Sequence, residues 1–268
     1  MIDLKDAVDK YIQYLKLERE EPTGNYLQRL IQHHLSIVPY ETFSKFHYFQ
    51  QYGQAIPPFE VFVQNMIDKN WGGTCFTLNI NFAKLLEKLG FSCSLVRVNP
   101  GHIAIMVLVG ERKFYVDVGY GSPIIKPVEL ETKPQHVLHG FGEEIIFTRK
   151  TDTCFEIDRR SFGKTFVKKT IEWTPLSEHE LIQDIKESYY DHPSNKTMRR
   201  VTAVHFNGSE CYYLRDLSLK IINYRNIREI QMRDYDKWKQ TIQAIYQIDE
   251  DTLEQTIVFL QKRDVYLF

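Results

Sequence analysis

Apolar residues recur at Ile2, Leu4, Ala7, Val8, Tyr11, Ile12 and Leu15, the three- and four-residue spacing that one face of an α-helix needs. Pro22-Thr23-Gly24 breaks the pattern. A second helix, capped by Asn25, runs through Leu27, Leu30 and Ile31 toward Leu35, and Pro39-Tyr40-Glu41 ends it. Pro57-Pro58 precedes a third helical stretch from Phe59 to Lys69, with proline at the start, where its missing N–H is harmless. From Phe76 onward, Phe76, Leu78, Ile80, Phe82, Leu85, Leu86 and Leu89 keep helical spacing as far as Gly90, a stop signal. Residues 1–90 therefore read as a helical bundle that ends in the helix begun by Cys75.

The pattern then changes period. Residues 92–175 alternate and are rich in Val, Ile, Phe and Thr, with turn signals at Asn99-Pro100-Gly101, Gly110, Gly121-Ser122-Pro123 and Gly140-Phe141-Gly142. Strands are predicted at 92–98, 102–109, 113–118, 136–139, 144–149, 153–158 and 165–172. Antiparallel strands at such short spacing point to a barrel or sandwich over 91–176. Region 177–268 is mixed. Ser177-Glu178-His179-Glu180 is a capping box that opens a helix through Leu181, Ile182, Ile185 and Tyr189. Strands follow at 200–206, 210–215 and 217–223, the first two joined by Asn207-Gly208, and helices near 234–247 and 250–262 close the chain.

Candidate chemistry gathers around Trp71-Gly72-Gly73-Thr74-Cys75. A cysteine in the first turn of a helix meets free N–H groups and the positive end of the dipole, and both favour thiolate over thiol. Alone it is more commonly a buried structural cysteine. Two later features weigh against that reading. His102 opens the run His102-Ile103-Ala104-Ile105-Met106-Val107-Leu108-Val109, and Asp117 lies near the end of the strand that returns after Gly110. Antiparallel pairing brings His102 and Asp117 to one end of a hairpin. Cysteine, histidine and aspartate then form a nucleophile, base and orienter. Such a set serves a peptidase, a transglutaminase-like enzyme or an acyltransferase, and the residues alone leave that choice open. The adjacent His33-His34 point about 100° apart on a helix and make a poor chelate, so no metal site is expected. Gly119-Tyr120-Gly121 lacks the third glycine and following helix of a dinucleotide loop.

Composition narrows the classes. A chain of 268 residues, 43% hydrophobic and 26% charged, carries an ordinary globular core. A net charge of −1 argues against a dedicated nucleic-acid surface. No run approaches the length of a membrane span, and Met1-Ile2-Asp3-Leu4-Lys5-Asp6 has no signal-peptide character. Cys75, Cys93, Cys154 and Cys211 show no paired spacing, which fits free thiols in a reducing cytoplasm. The expected partners are small molecules, with no nucleic acid and no membrane, and the expected state is monomer or homodimer.

Three motifs in order resemble the arylamine N-acetyltransferase family. Trp71-Gly72-Gly73-Thr74-Cys75-Phe76-Thr77-Leu78-Asn79 is similar to its Arg-Gly-Gly-x-Cys-x-Glu-x-Asn. Asp117-Val118-Gly119-Tyr120-Gly121 resembles its Asp-Val-Gly-Phe-Gly. His33-His34-Leu35 with Val38-Pro39-Tyr40-Glu41 resembles its His-x(n)-Ile-Pro-Phe-Glu-Asn. Trp71 and Thr77 replace the family's arginine and glutamate, which suggests that a charged pair has given way to a neutral arrangement.

The resemblance implies an α+β fold: an N-terminal helical bundle (1–90), a central antiparallel β-barrel (91–176) and a C-terminal α/β lid (177–268) around a papain-like Cys-His-Asp core. It implies that Cys75 takes an acetyl group from acetyl-CoA, with His102 and Asp117 in support, and passes it to an arylamine, hydrazine or arylhydroxylamine. Tyr40, Phe76 and Tyr120 would line the acceptor pocket, and Gly119 and Gly121 would face the cofactor. Lys164, Lys168, Lys169, Arg199 and Arg200 are candidates, by charge, for the CoA phosphates. The other readings are an amide synthase of the same lineage using another acyl thioester, and a catalytically silent relative.

Overall fold

A computed structural model describes residues 3–224 and 226–268; Ile2, the first position of the N-terminal apolar stripe, lies outside them. Helices α1 (Leu4–Tyr14) and α2 (Gly24–Ile37) bury the stripes that their sequence spacing sets, Ala7, Val8, Tyr11 and Ile12 on one and Leu27, Leu30, Ile31 and Leu35 on the other. The cap of α2 is Thr23 rather than Asn25. Thr23 has an extended backbone, and its Oγ1 accepts from the Tyr26 N–H at 3.2 Å, so the helix begins two residues before the predicted cap would allow. A two-residue strand, β1 (Tyr40–Glu41), follows, and then α3 (Phe43–Tyr52), a helix the apolar pattern did not assign. Its buried face includes Ser44 and Lys45, and polar residues at core positions interrupt the stripe that marks a helix. The region closes with α4 (Phe59–Lys69) and α5 (Cys75–Lys88).

The central strands are β2 (Ser92–Asn99), β3 (His102–Val109), β4 (Arg112–Val116), β5 (Gln135–Gly140), β6 (Glu143–Arg149), β7 (Cys154–Ser161) and β8 (Lys164–Leu176). They form one antiparallel sheet in the order β4-β3-β2-β8-β7-β6-β5. Each strand sends apolar side chains into one shared cluster, among them Val98, Met106, Leu138, Phe155 and Trp173. The sheet is curled. Tyr115 on β4, the first strand in that order, brings its ring to 5.2 Å from Phe147 on β6, the sixth.

The remaining elements build a second antiparallel sheet with helices. The Ser177 N–H and hydroxyl donate to the Glu180 carboxylate at 2.9 and 2.8 Å, and a short 3-10 turn leads into α6 (Ile182–Ser188). Strands β9 (Thr202–Asn207), β10 (Glu210–Arg215), β11 (Ser218–Asn223) and β12 (Asn226–Gln231) follow, then α7 (Tyr235–Tyr246) and α8 (Glu250–Gln261). Asn207 pairs with Glu210, so the hairpin's loop residues are Gly208 and Ser209. β12 is a mostly exposed polar edge strand without an apolar alternation to announce it. The sheet order is β1-β9-β10-β11-β12, so the N-terminal region supplies its edge. Phe46 stacks on Phe259 at 4.5 Å and fixes α3 against α8.

Candidate active site

The turn before α5 is shaped by contact with β1. A Cβ on Gly72 would fall 1.8 Å from the Pro39 carbonyl oxygen, so only glycine passes there. The Glu41 N–H donates to the Gly73 carbonyl at 2.9 Å. The buried Glu41 carboxylate accepts from the Gly72 N–H at 3.1 Å and from the Ser44 N–H and hydroxyl at 2.8 and 2.5 Å. Burial pushes this carboxyl up to about 7 against those hydrogen bonds. Thr74 caps α5 without a side-chain hydrogen bond, and Cys75 is the first helical residue. The first-turn N–H groups are therefore free of a capping side chain.

His102 opens β3, and β3 pairs with β4 so that Ile105 faces Val116. That register carries Asp117, just past the end of β4, back toward His102. His102 Nε2 and Asp117 Oδ2 lie 2.7 Å apart, with His102 only 6% exposed and Asp117 fully buried. The other ring nitrogen is left for Cys75, and the two groups interact closely enough to shift each other's proton affinity. Cys75 Sγ lies 4.0 Å from the Gly101 carbonyl.

Burial lowers the affinity of His102 for its proton, but Asp117 and Cys75 together push it up to about 9. Burial likewise pushes the Cys75 thiol up, yet the hydrogen bond from His102, its charge and the Lys45 ammonium outweigh it, and the thiol lies below its ordinary value. Both shifts favour the thiolate–imidazolium pair over the thiol and neutral imidazole.

Asp117 accepts three further bonds. The Tyr115 hydroxyl donates to Oδ2 at 2.8 Å, and Asn79 Nδ2 and the Gly119 N–H donate to Oδ1 at 2.9 and 3.0 Å. Asn79 also donates to the Ile103 carbonyl at 2.8 Å and accepts from the Val118 N–H at 3.0 Å. It joins the cysteine helix, the histidine strand and the aspartate loop. Asn79 stands four residues after Cys75, on the same helix face, and that spacing is the signal by which sequence could have found it. Tyr115 and Lys45 carried no such signal.

The aromatic residues named for an acceptor pocket do not share one cavity. Tyr40, Tyr120 and Gly121 line a cleft of about 410 Å³ between the two sheets, with Arg159 and Tyr213. Phe76 lines a second cavity of about 360 Å³ with Cys75, Lys45, Gly101, Asp184 and Glu187. The Tyr120 ring packs 4.6 Å from that of His102. Gly119 is buried against the start of α5, where a Cβ would meet the Cys75 Cα and Asn79 Nδ2, both at 2.8 Å, so close packing there needs glycine.

Among the basic candidates, Lys168, Arg199 and Arg200 are ion-paired with Glu156, Asp191 and Asp216, and Lys169 donates to the Pro100 carbonyl. His34 is buried against Tyr11, with its Nδ1 3.0 Å from the Tyr11 hydroxyl, and His33 bonds the Leu15 carbonyl. Among the described residues no group of three or more His, Cys, Asp and Glu is placed to hold a metal, and no helix is long and apolar enough to cross a membrane.

Trp71 is buried against His47 and Tyr48, outside both cavities. Thr77 is buried with its hydroxyl 3.5 Å from that of Tyr189. The surroundings of the turn are nevertheless not neutral, as the loss of the arginine and glutamate suggested. Glu41 and Lys45, both from the segment after Pro39, bring a buried acid and a buried base to it.

A family model described as N-acetyltransferase matches residues 25–254. The chain is 34% identical over 116 residues to an uncharacterized acetyltransferase of Acanthamoeba polyphaga mimivirus, a match spanning 39% of this chain and 55% of that one. The fold is similar to that of the arylamine N-acetyltransferase of Mycobacterium smegmatis, with a TM-score of 0.79 at 21% identity over 100% of this chain and 99% of that one. It is similar also to that of the Mycobacterium marinum arylamine N-acetyltransferase in complex with CoA, with a TM-score of 0.79 at 16% identity over 97% and 99%. The chain belongs to the arylamine N-acetyltransferase family.

Proposed function

We propose that the protein transfers the acetyl group of acetyl-CoA to the nitrogen of small aromatic amines, hydrazines or arylhydroxylamines, in two steps through an acetyl-Cys75 intermediate. The observation that carries this reading is the Asp117–His102 pair at 2.7 Å, with His102 lowering the Cys75 thiol at the start of α5. Family membership supports acyl transfer over a peptidase, and the CoA bound to the Mycobacterium marinum relative supports CoA as the carrier.

In the first step the Cys75 thiolate attacks the thioester carbonyl, the carbon–sulfur bond to CoA breaks, and the imidazolium of His102 protonates the departing CoA sulfur. The negative oxygen that forms meanwhile is met by N–H groups of the first turn of α5. In the second step the amine attacks acetyl-Cys75, neutral His102 takes the amine's proton, and the Cys75 thiolate leaves. Asp117 keeps its hydrogen bond to the ring and fixes its orientation. Tyr40 and Tyr120 line the cleft offered to the acceptor, and Phe76 shapes the cavity beside the sulfur.

The test is intact mass after mixing the protein with acetyl-CoA and no acceptor. One acetyl group is gained by the wild type and none by Cys75→Ala, which remains folded. A wild type that gains nothing while its cysteine alkylates rapidly points to another acyl thioester. No adduct together with slow alkylation sinks the reading in favour of a silent relative.

A further inference from the structure

Lys45 is a buried charge that the steps above do not use. It is 1% exposed. Its Nζ donates to the Ser188 carbonyl at 2.8 Å and stands 4.5 Å above the Tyr189 ring. Neither partner carries a negative charge, since burial pushes the Tyr189 hydroxyl up, far from ionisation at neutral pH. An ammonium has three donors, and this one forms part of the wall of the Cys75 cavity. A buried ammonium without an anion is costly to keep, so the identity of its counter-charge matters.

The neighbouring acids are engaged elsewhere. Asp184, on α6, is held by Arg97 through bonds of 3.0, 3.2 and 3.0 Å. Glu187, on the same helix, takes a hydrogen bond from Gln183. Glu41, on β1, is held by Ser44 and Gly72. Asp249 and Asp251, at the start of α8, act on His47. Cys75 remains: burial pushes Lys45 down to about 8, the Cys75 thiolate works against that fall, and the Lys45 charge in turn favours the thiolate.

Charge counting gives the same answer. A Cys75 thiolate beside the His102–Asp117 ion pair adds one negative charge, and a Lys45 ammonium balances it. We propose that Lys45 is a positioning residue for the nucleophile, a second cation that favours the Cys75 thiolate from the wall of the cavity the two residues share. The proposal rests on the reading of Cys75 as nucleophile. It carries a consequence for the second step. Once the sulfur is acylated its charge is gone, and Lys45 leaves the site one positive charge in excess. That excess favours loss of the His102 proton, and neutral His102 is the form that accepts the amine's proton.

The experiment is the rate of Cys75 alkylation against pH, with neutral iodoacetamide and anionic iodoacetate, for wild type, Lys45→Met and Lys45→Arg, each checked for fold by circular dichroism. Removal of one nearby opposite charge is expected to raise the alkylation midpoint by about one pH unit, or about tenfold in rate below it. Arginine restores most of the shift, and the wild type favours iodoacetate over iodoacetamide more than a free thiol does. An unmoved midpoint in a folded Met variant overturns the proposal while leaving Cys75 a thiolate. A wild-type midpoint near that of a free cysteine overturns both. A shifted midpoint without an acetyl adduct supports Lys45 and defeats only the acetyl donor. If Lys45→Met does not fold, the iodoacetate preference of the wild type decides alone, and its absence overturns the proposal.

Discussion

At the scale of single residues, the hydroxyl of Tyr120 is the clearest mismatch in the site. The family commonly has phenylalanine at this position of the motif, and here the Tyr120 oxygen is buried with no hydrogen-bond partner in the protein. A buried hydroxyl without a partner costs about 1–3 kcal/mol. Tyr120→Phe is therefore expected to raise stability by about 1 kcal/mol, read as a higher thermal midpoint, without loss of acetyl transfer. No gain would mean that a bound water satisfies the hydroxyl. Cys75, His102 and Asp117 were legible because a nucleophile motif and a hairpin are local patterns. Asn79 stood in the motif yet received no role, since its bonds run to Ile103, Asp117 and Val118, residues 24 to 39 positions away. Lys45 was invisible because a lysine in a sequence reads as solvent-exposed until the fold buries it.

At the scale of elements, α5 and the loop after β4 meet at Gly119. The absent side chain lets the aspartate loop lie directly on the cysteine helix, and two of the contacts that a Cβ would make, at 2.8 Å, are too short to be tolerated without movement. Gly119→Ala must separate the loop from the helix. Overpacking of this kind costs about 1–3 kcal/mol, and a displacement of even about 1 Å at the nucleophile can cost 100-fold in rate. The expected result is a folded protein with transfer reduced far more than stability, measured as kcat beside a chemical melt. Retention of full activity would show that the loop can slide without moving Asp117. Element prediction succeeded where one apolar period held, as in α1, α5 and β3. It failed for α3, whose core face carries Ser44 and Lys45, and for β12, which has no buried face. β1 is two residues long, too short to show any alternation, and exists only because β9 lies beside it.

At the scale of the whole molecule, the stability of the helical region is tied to pH through His34. This ring is fully buried between Tyr11 and Phe82, and burial pushes it down to about 3 from its ordinary 6.5. The folded state therefore binds fewer protons than the unfolded state between these values. The contribution is complete above pH 6.5 and falls away as pH drops toward 3, at up to about 1.4 kcal/mol per pH unit. Urea melts between pH 7 and pH 4 should show this loss, and His34→Phe should flatten the slope. An equal slope in the variant would place the acid sensitivity elsewhere.

The order of helices, curled sheet and mixed C-terminal region was readable from changes of period along the chain. The crossing of Tyr40 and Glu41 into the C-terminal sheet was not, because β1 and β9 are separated by some 160 positions and only packing joins them. That crossing has a mechanical meaning. Tyr40 and Glu41 pair with Val204 and Ala203 on one side and join Gly73 on the other. The same two residues are thus a seam between the sheet that walls the cleft and the turn that carries the sulfur. A sheet stitched in this way cannot swing like a hinged door without pulling thread at the nucleophile, so any motion that widens the cleft is transmitted to Cys75 as tension.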